Sequence, residues 1–138
     1  MDKPMPIKTD VGILNGRDCI YFDAVKQDNY DNVIFTGDIN GQLVKKMDSN
    51  KEWYPYKLTF KRVLACFYCE LDTYENLAGT EYLHDDGSCF DLIGNSDWLK
   101  SLPVRTDFDK SIYNHYRLFT YDIVYNIIAT EFQLEIEV

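Results

Sequence analysis

Two histidines, four cysteines and one dense run of carboxylates are the residues of this chain with chemistry beyond packing. His84 opens the segment His84-Asp85-Asp86-Gly87-Ser88, with Asp91 not far beyond. Carboxylates beside an imidazole bind a divalent cation or hold a general base in one tautomer. The spacing matches neither an EF-hand loop nor the two-histidine helix of a zinc protease, and Asp-Asp-Gly is ordinary turn chemistry. A surface turn is the favoured reading, and whether His84, Asp85 and Asp86 form a site stays open. His115 stands at a strand entrance, and its neighbour Asn114 offers no charge relay, so it reads as structural. Cys66 and Cys69 form a C-x-x-C inside an apolar run that reads as a strand. Residues three apart on a strand point to opposite faces, so the two thiols cannot share a metal or close a redox ring there. No second C-x-x-C completes a zinc set. All four cysteines (Cys19, Cys66, Cys69, Cys89) read as reduced, packed thiols.

Glycine-rich phosphate loops of the forms G-x-G-x-x-G and G-x-x-x-x-G-K-[ST] are absent, as is a G-x-S-x-G elbow. A Cys–His nucleophile pair would meet in space and not in sequence, and nothing in the sequence argues for one. No catalytic residue, metal-ligand set or cofactor is therefore expected. The cluster Trp53-Tyr54-Pro55-Tyr56, flanked by Lys51 and Lys57, reads either as a stacking platform for a base or sugar or as a loop anchored on a sheet. The anchor is favoured.

The elements that must position these residues read as strands. Aromatic residues make up 15% of the 138, and rings fit a pleated, half-buried surface. The first seventeen residues read as an extended lead-in. A short strand is expected over Cys19–Val25. The Asn40-Gly41 pair signals a hairpin between Val33–Thr36 and Gln42–Val44, followed by a polar loop from Lys45 to Tyr56. Tyr56–Leu71 is the longest strand candidate, but its alternation changes phase. Leu58 and Phe60 share one parity, and Val63, Ala65, Phe67, Cys69 and Leu71 the other, so a bulge or sharp bend is expected near Lys61-Arg62. Periodicity fades from Thr73 to Asn95, a loop-like region with a short strand over Cys89–Ile93. Asn95 and Ser96 are candidate N-caps for one short helix near 96–102, closed by Pro103. Strands follow over Tyr116–Phe119, Ile123–Ala129 and Phe132–Val138. In the last, Phe132, Leu134, Ile136 and Val138 alternate with Gln133, Glu135 and Glu137, the mark of one buried and one wet face. The expectation is one β-rich α+β domain over 1–138: an antiparallel sheet structure, sandwich or partly closed barrel, with one short helix.

Charge is unevenly spread. The chain holds 14 Lys and Arg against 23 Asp and Glu, a net charge of -9. Residues 45–62 carry six basic and two acidic groups, whereas residues 63–99 carry eight acids and no Lys or Arg. Such a balance argues against sequence-independent binding to nucleic acid or to anionic lipid, both of which need a basic face. Met1-Asp2-Lys3-Pro4-Met5-Pro6 has no apolar run after its charges, and no stretch approaches a transmembrane span. A soluble cytoplasmic protein is the expectation.

Asn95-Ser96-Asp97-Trp98-Leu99, followed by His115-Tyr116-Arg117-Leu118-Phe119-Thr120-Tyr121-Asp122-Ile123-Val124-Tyr125, resembles a pattern in small bacterial proteins of immunity-protein character. The likeness covers residues 90–138 and rests on packing and turn residues. It implies a bacterial cytoplasmic protein that neutralises a toxin, and it brings no catalytic residue.

Together these readings give a non-enzymatic module that presents an acidic face to a basic protein partner such as a nuclease-type toxin. Glu70, Asp72, Glu75, Glu81, Asp85, Asp86 and Asp91 supply the steering charge, and Tyr74, Tyr82 and Trp98 the aromatic anchors. The alternative is a small-ligand-binding or enzymatic β-barrel with an aromatic pocket. A third reading is a homo-oligomer that pairs through its C-terminal strand.

Overall fold

The computed structural model describes residues 2–44, 52–78 and 87–137. They form strands β1 (Lys3–Pro6), β2 (Ile20–Gln27), β3 (Val33–Asn40), β4 (Trp53–Lys61), β5 (Ala65–Glu70), β6 (Phe90–Gly94), β7 (Asn114–Phe119), β8 (Ile123–Ala129) and β9 (Glu131–Ile136). Two α-helices accompany them, α1 (Leu71–Ala78) and α2 (Asp97–Ser101). The strands build a five-stranded sheet, β1-β6-β7-β8-β5, and a four-stranded sheet, β2-β3-β4-β9, antiparallel throughout. The expected β-rich domain is thus a two-sheet sandwich and not a closed barrel. Among the described residues, no helix is long and apolar enough to cross a membrane.

Rings fill the space between the sheets, which accounts for the aromatic composition. Phe35 of β3 meets Tyr125 of β8 edge-on at 4.8 Å between centroids, and Phe60 of β4 meets Tyr116 of β7 at 5.4 Å and Phe90 of β6 at 6.0 Å. Edge-to-face contacts of this kind add to area burial. The expected break at Lys61-Arg62 is a change of sheet. Arg62 takes a positive φ of 53°, Val63 N donates to Asp31 O, and Leu64 N donates to Ile128 O at 2.8 Å. The chain leaves the four-stranded sheet after Lys61 and enters the five-stranded one at Ala65, so the inward parity resets. In the new sheet the series Ala65, Phe67, Cys69 faces away from the sandwich interior, in register with Ile128, Asn126 and Val124.

β7 and β8 are buried along nearly their whole length because both faces of the five-stranded sheet are covered. One face packs on the other sheet. The opposite face carries α1, whose Tyr74 ring meets Phe119 at 6.2 Å, and α2, whose Trp98 lies over His115. β9, at the edge of the four-stranded sheet, alternates because the outer face of that sheet is open to water, with Glu131, Gln133 and Glu135 exposed. At Gly37 of β3, an added Cβ would lie 2.0 Å from Tyr21 O, where β2 carries a register shift between Phe22 and Ala24.

Four expectations are corrected. Residues 1–17 are not a lead-in: β1 is an edge strand on β6, and Leu14 is buried. Its prolines at 4 and 6 suit an edge, where a missing N–H breaks no ladder bond. Asn40-Gly41 does not close a hairpin, because Asn40 Oδ1 accepts from Gln42 N and starts a 3-10 turn over Gly41–Leu43. β3 pairs with β4 instead, and β4 begins at Trp53, inside the expected polar loop. Helix α1 occupies the start of the region read as loop. Leu71 and Tyr74, an i, i+3 pair, anchor it, and Glu70 caps it by accepting from Asp72 N and Thr73 N. The expected helix near 96–102 is α2, capped by Ser96 as read.

Candidate functional site

The ten residues proposed for partner binding scatter. Glu70, Asp72 and Glu75 are exposed at the start of α1. Three hydrogen bonds to the Glu70 carboxylate, from Asp72 N, Thr73 N and Thr73 Oγ1, hold it below the usual carboxylate range. Tyr74 is buried against Phe119 and is a core residue, not an anchor. Asp91 is 0% exposed and lies 3.3 Å from Arg117 Nη2, so it faces no partner. Trp98 is half-buried between His115 and Phe67, with centroids at 5.2 and 5.8 Å. Glu81, Tyr82, Asp85 and Asp86, with His84, lie outside the described residues.

The outer face of the five-stranded sheet gathers polar groups that the sequence reading did not connect. Asp91, Arg117 and Asn126 stand in one cross-strand row over β6, β7 and β8. Arg117 is 1% exposed, with its guanidinium 5.0 Å from the Phe119 ring centroid. His115 Nε2 lies 2.7 Å from Asn126 Oδ1, and its Nδ1 lies 2.7 Å from Ser96 Oγ. The network therefore puts the imidazole proton on Nε2, while the Ser96 hydroxyl donates to Nδ1. Burial draws His115 below its ordinary pKa, outweighing the hydrogen bond to Asn126. A line Ser96–His115–Asn126 has the types of a nucleophile, a base and an orienting group. Its geometry serves another end. Ser96 is 4% exposed, and its Oγ accepts from Leu99 N at 3.0 Å as the cap of α2. The line ties α2 to the sheet. Arg117 Nε and Asn126 Nδ2 find no hydrogen-bond partner among the described residues. One signal in the sequence pointed here, a lone Arg in the apolar run Tyr116-Arg117-Leu118-Phe119.

The exposed counterpart sits at one end of the sandwich. Tyr21 of β2 meets Trp53, the first residue of β4, edge-on at 5.3 Å, and stacks on Tyr121 of the β7–β8 turn at 5.8 Å. The Arg17 guanidinium lies 4.8 Å from the Tyr121 centroid. Trp53 is 38% and Tyr121 43% exposed. The Trp53-Tyr54-Pro55-Tyr56 cluster is the start of strand β4 and not a loop: Tyr54 and Tyr56 are buried on the sheet, while Trp53 faces out.

Carboxylates surround this row. Desolvation, then Asp18, raises the Tyr21 phenol above its ordinary pKa, with Asp122 adding a smaller push. A cleft of about 660 Å³ on the wet side of the four-stranded sheet sets Asp23, Asp38, Glu135 and Glu137 against Lys57. Leu71 N donates to Asp122 O at 2.7 Å, which brings Glu70 at the end of β5 and Asp72 and Glu75 of α1 to the same end. A smaller cleft of about 220 Å³ joins Arg17 to Leu71 and Glu75.

Cys66 and Cys69 point to opposite faces of β5, in register with Ile127 and Val124, and all four cysteines are free. Among the described residues, no three His, Cys, Asp or Glu side chains converge as metal ligands would. Comparison of the chain with models of known families, with curated proteins and with solved structures matches none of them.

Proposed function

We propose that this chain is a non-enzymatic protein-binding module that docks a basic partner protein at the Trp53–Tyr21–Tyr121 end of the sandwich. The observation that carries the reading is the exposed aromatic row itself. Trp, Tyr and Arg dominate the energetics of protein interfaces when they stand at the centre of a contact. Here they stand in one line, rimmed by Asp18, Asp122 and the carboxylates at the start of α1. A rim of one sign raises the on-rate of oppositely charged partners and suppresses wrong ones. Relative to the sequence reading, the anchors change while the partner's charge does not: Tyr21, Trp53 and Tyr121 take the part given to Tyr74, Tyr82 and Trp98. A toxin of the nuclease type, with an active site lined by Lys and Arg, fits this chemistry, and an immunity role is the finer form of the proposal.

The aromatic-pocket alternative loses its main support, because the interior rings pack on one another at 4.8–6.3 Å and the sheets do not close. The test is capture from bacterial lysate on the immobilised chain, eluted with rising salt and identified by mass spectrometry. A basic protein released over a narrow salt range supports the reading. Retention of acidic proteins only, or elution indifferent to salt, contradicts it.

A further inference from the structure

Cys19 immediately precedes β2 in one sheet, and Cys89 immediately precedes β6 in the other. Both are at most 1% exposed and share one core. The chain brings them together: Cys19 N donates to Gly16 O, Gly16 N to Gly87 O and Cys89 N to Leu14 O, while Asn15 bridges Ser88. Residues 14–19 thus run beside residues 87–89, which brings the Cys19 and Cys89 thiols near enough in the core to perturb each other, while Cys19 Sγ donates to Leu43 O at 4.0 Å. Cys89 also lines the 220 Å³ cleft with Gly16, Arg17, Leu71 and Glu75, a path for a small reagent.

We infer that Cys19 and Cys89 are a redox-active thiol pair, an internal disulfide site that joins the two sheets under oxidation by a small peroxide. The interaction between the two thiols draws Cys19 below the usual thiol range and, with burial, pushes Cys89 well above it. With hydrogen peroxide, the Cys19 thiolate attacks one oxygen and the O–O bond breaks. Cys19 becomes a sulfenic acid, and the departing hydroxide takes a proton as water. The Cys89 sulfur then attacks the Cys19 sulfur, the S–O bond breaks, and a second water leaves with the Cys89 proton. Two thiols lose two electrons and the peroxide gains two. Cys66 and Cys69 have no such geometry: they face opposite ways, and burial raises both thiols.

The bond would join positions 70 residues apart. A closed loop of that length restricts the unfolded chain, so the oxidised form is expected to melt roughly 5–15 °C higher. The test uses the full chain, the Cys66→Ser/Cys69→Ser variant and Cys89→Ser. Each is treated with hydrogen peroxide well below its melting temperature, quenched with an alkylating agent and mapped by mass spectrometry. The expected result is a Cys19–Cys89 linked peptide with the loss of two hydrogens in the first two proteins. It should be reversed by dithiothreitol, come with native circular dichroism and a raised Tm, and be absent from Cys89→Ser. Two alkylatable thiols surviving in Cys66→Ser/Cys69→Ser would overturn the inference. So would oxygen addition without a link, or a link formed only after native circular dichroism is lost. Because Cys66→Ser/Cys69→Ser keeps the pair and changes only the β5 thiols, misfolding of Cys89→Ser leaves the test intact.

Discussion

The outer face of the five-stranded sheet and the Trp53 end of the sandwich invert the ordinary distribution of side chains in opposite senses. On the sheet, an Asp, an Arg, a His, an Asn and a Ser are sealed from water. At the end, a Trp and two Tyr stand in line with a wet face. The first arrangement gathers an ion pair and a histidine and is closed to any partner. Its hydrogen bonds hold α2 on the sheet and cap it. The second carries little acid–base chemistry and is open. Residue type alone would have assigned function to the first region, and exposure assigns it to the second. A buried ion pair is itself weak evidence for stability, because desolvation offsets much of the attraction, but breaking one side of it is severe.

The largest expected effect breaks the buried region. Asp91→Ala leaves the Arg117 guanidinium uncompensated inside the protein, so urea denaturation should show a loss of about 3–5 kcal/mol. Asp91→Leu with Arg117→Met removes both charges and should recover most of that loss. Next comes the exposed row. Trp53→Ala should weaken partner affinity by about 2 kcal/mol, roughly thirtyfold in Kd by titration calorimetry, while changing fold stability by less than about 1 kcal/mol.

A pH series sharpens the contrast. Because the folded His115 pKa lies below its ordinary value, the unfolded chain binds the extra proton first as pH falls below about 6.5. Stability attributable to His115 is therefore complete above that pH and declines below it. The decline is at most about 1.4 kcal/mol per pH unit, until the folded imidazole also protonates. Denaturation midpoints of wild type and His115→Gln at pH 4.5–7.5 check this, since the variant should lack that slope. The smallest effect is electrostatic. Asp72→Lys with Glu75→Lys should slow association a few-fold and flatten its salt dependence in stopped-flow measurements, with little change in dissociation.

Much of the fold was legible because its signals are local. The alternation of Phe132–Ile136 marked a strand with one buried and one wet face, and the phase change at Lys61-Arg62 marked a break, which the structure makes a crossing between sheets. Ser96 was readable as a cap from its type and place. What failed depended on contacts distant in sequence. Nothing near Lys3–Pro6 announces a partner 85 or more residues away in β6. Asn40-Gly41 satisfies a turn rule that the capping bond from Gln42 overrides. The acidic run was visible, but sequence could not say that Asp91 turns inward to Arg117 while Asp72 and Glu75 face water. The aromatic row draws Tyr21, Trp53 and Tyr121 from three separate segments, and no local pattern joins them.

The most direct test sets the two regions against each other in one affinity measurement on the basic partner identified by capture. Trp53→Ala/Tyr121→Ala is expected to bind at least about a hundredfold more weakly than wild type. Asp91→Leu/Arg117→Met, once shown to be folded, is expected to bind within about threefold of it. Binding unchanged by loss of the two rings, or lost with the buried pair in a folded protein, would contradict the assignment of function to the Trp53 end.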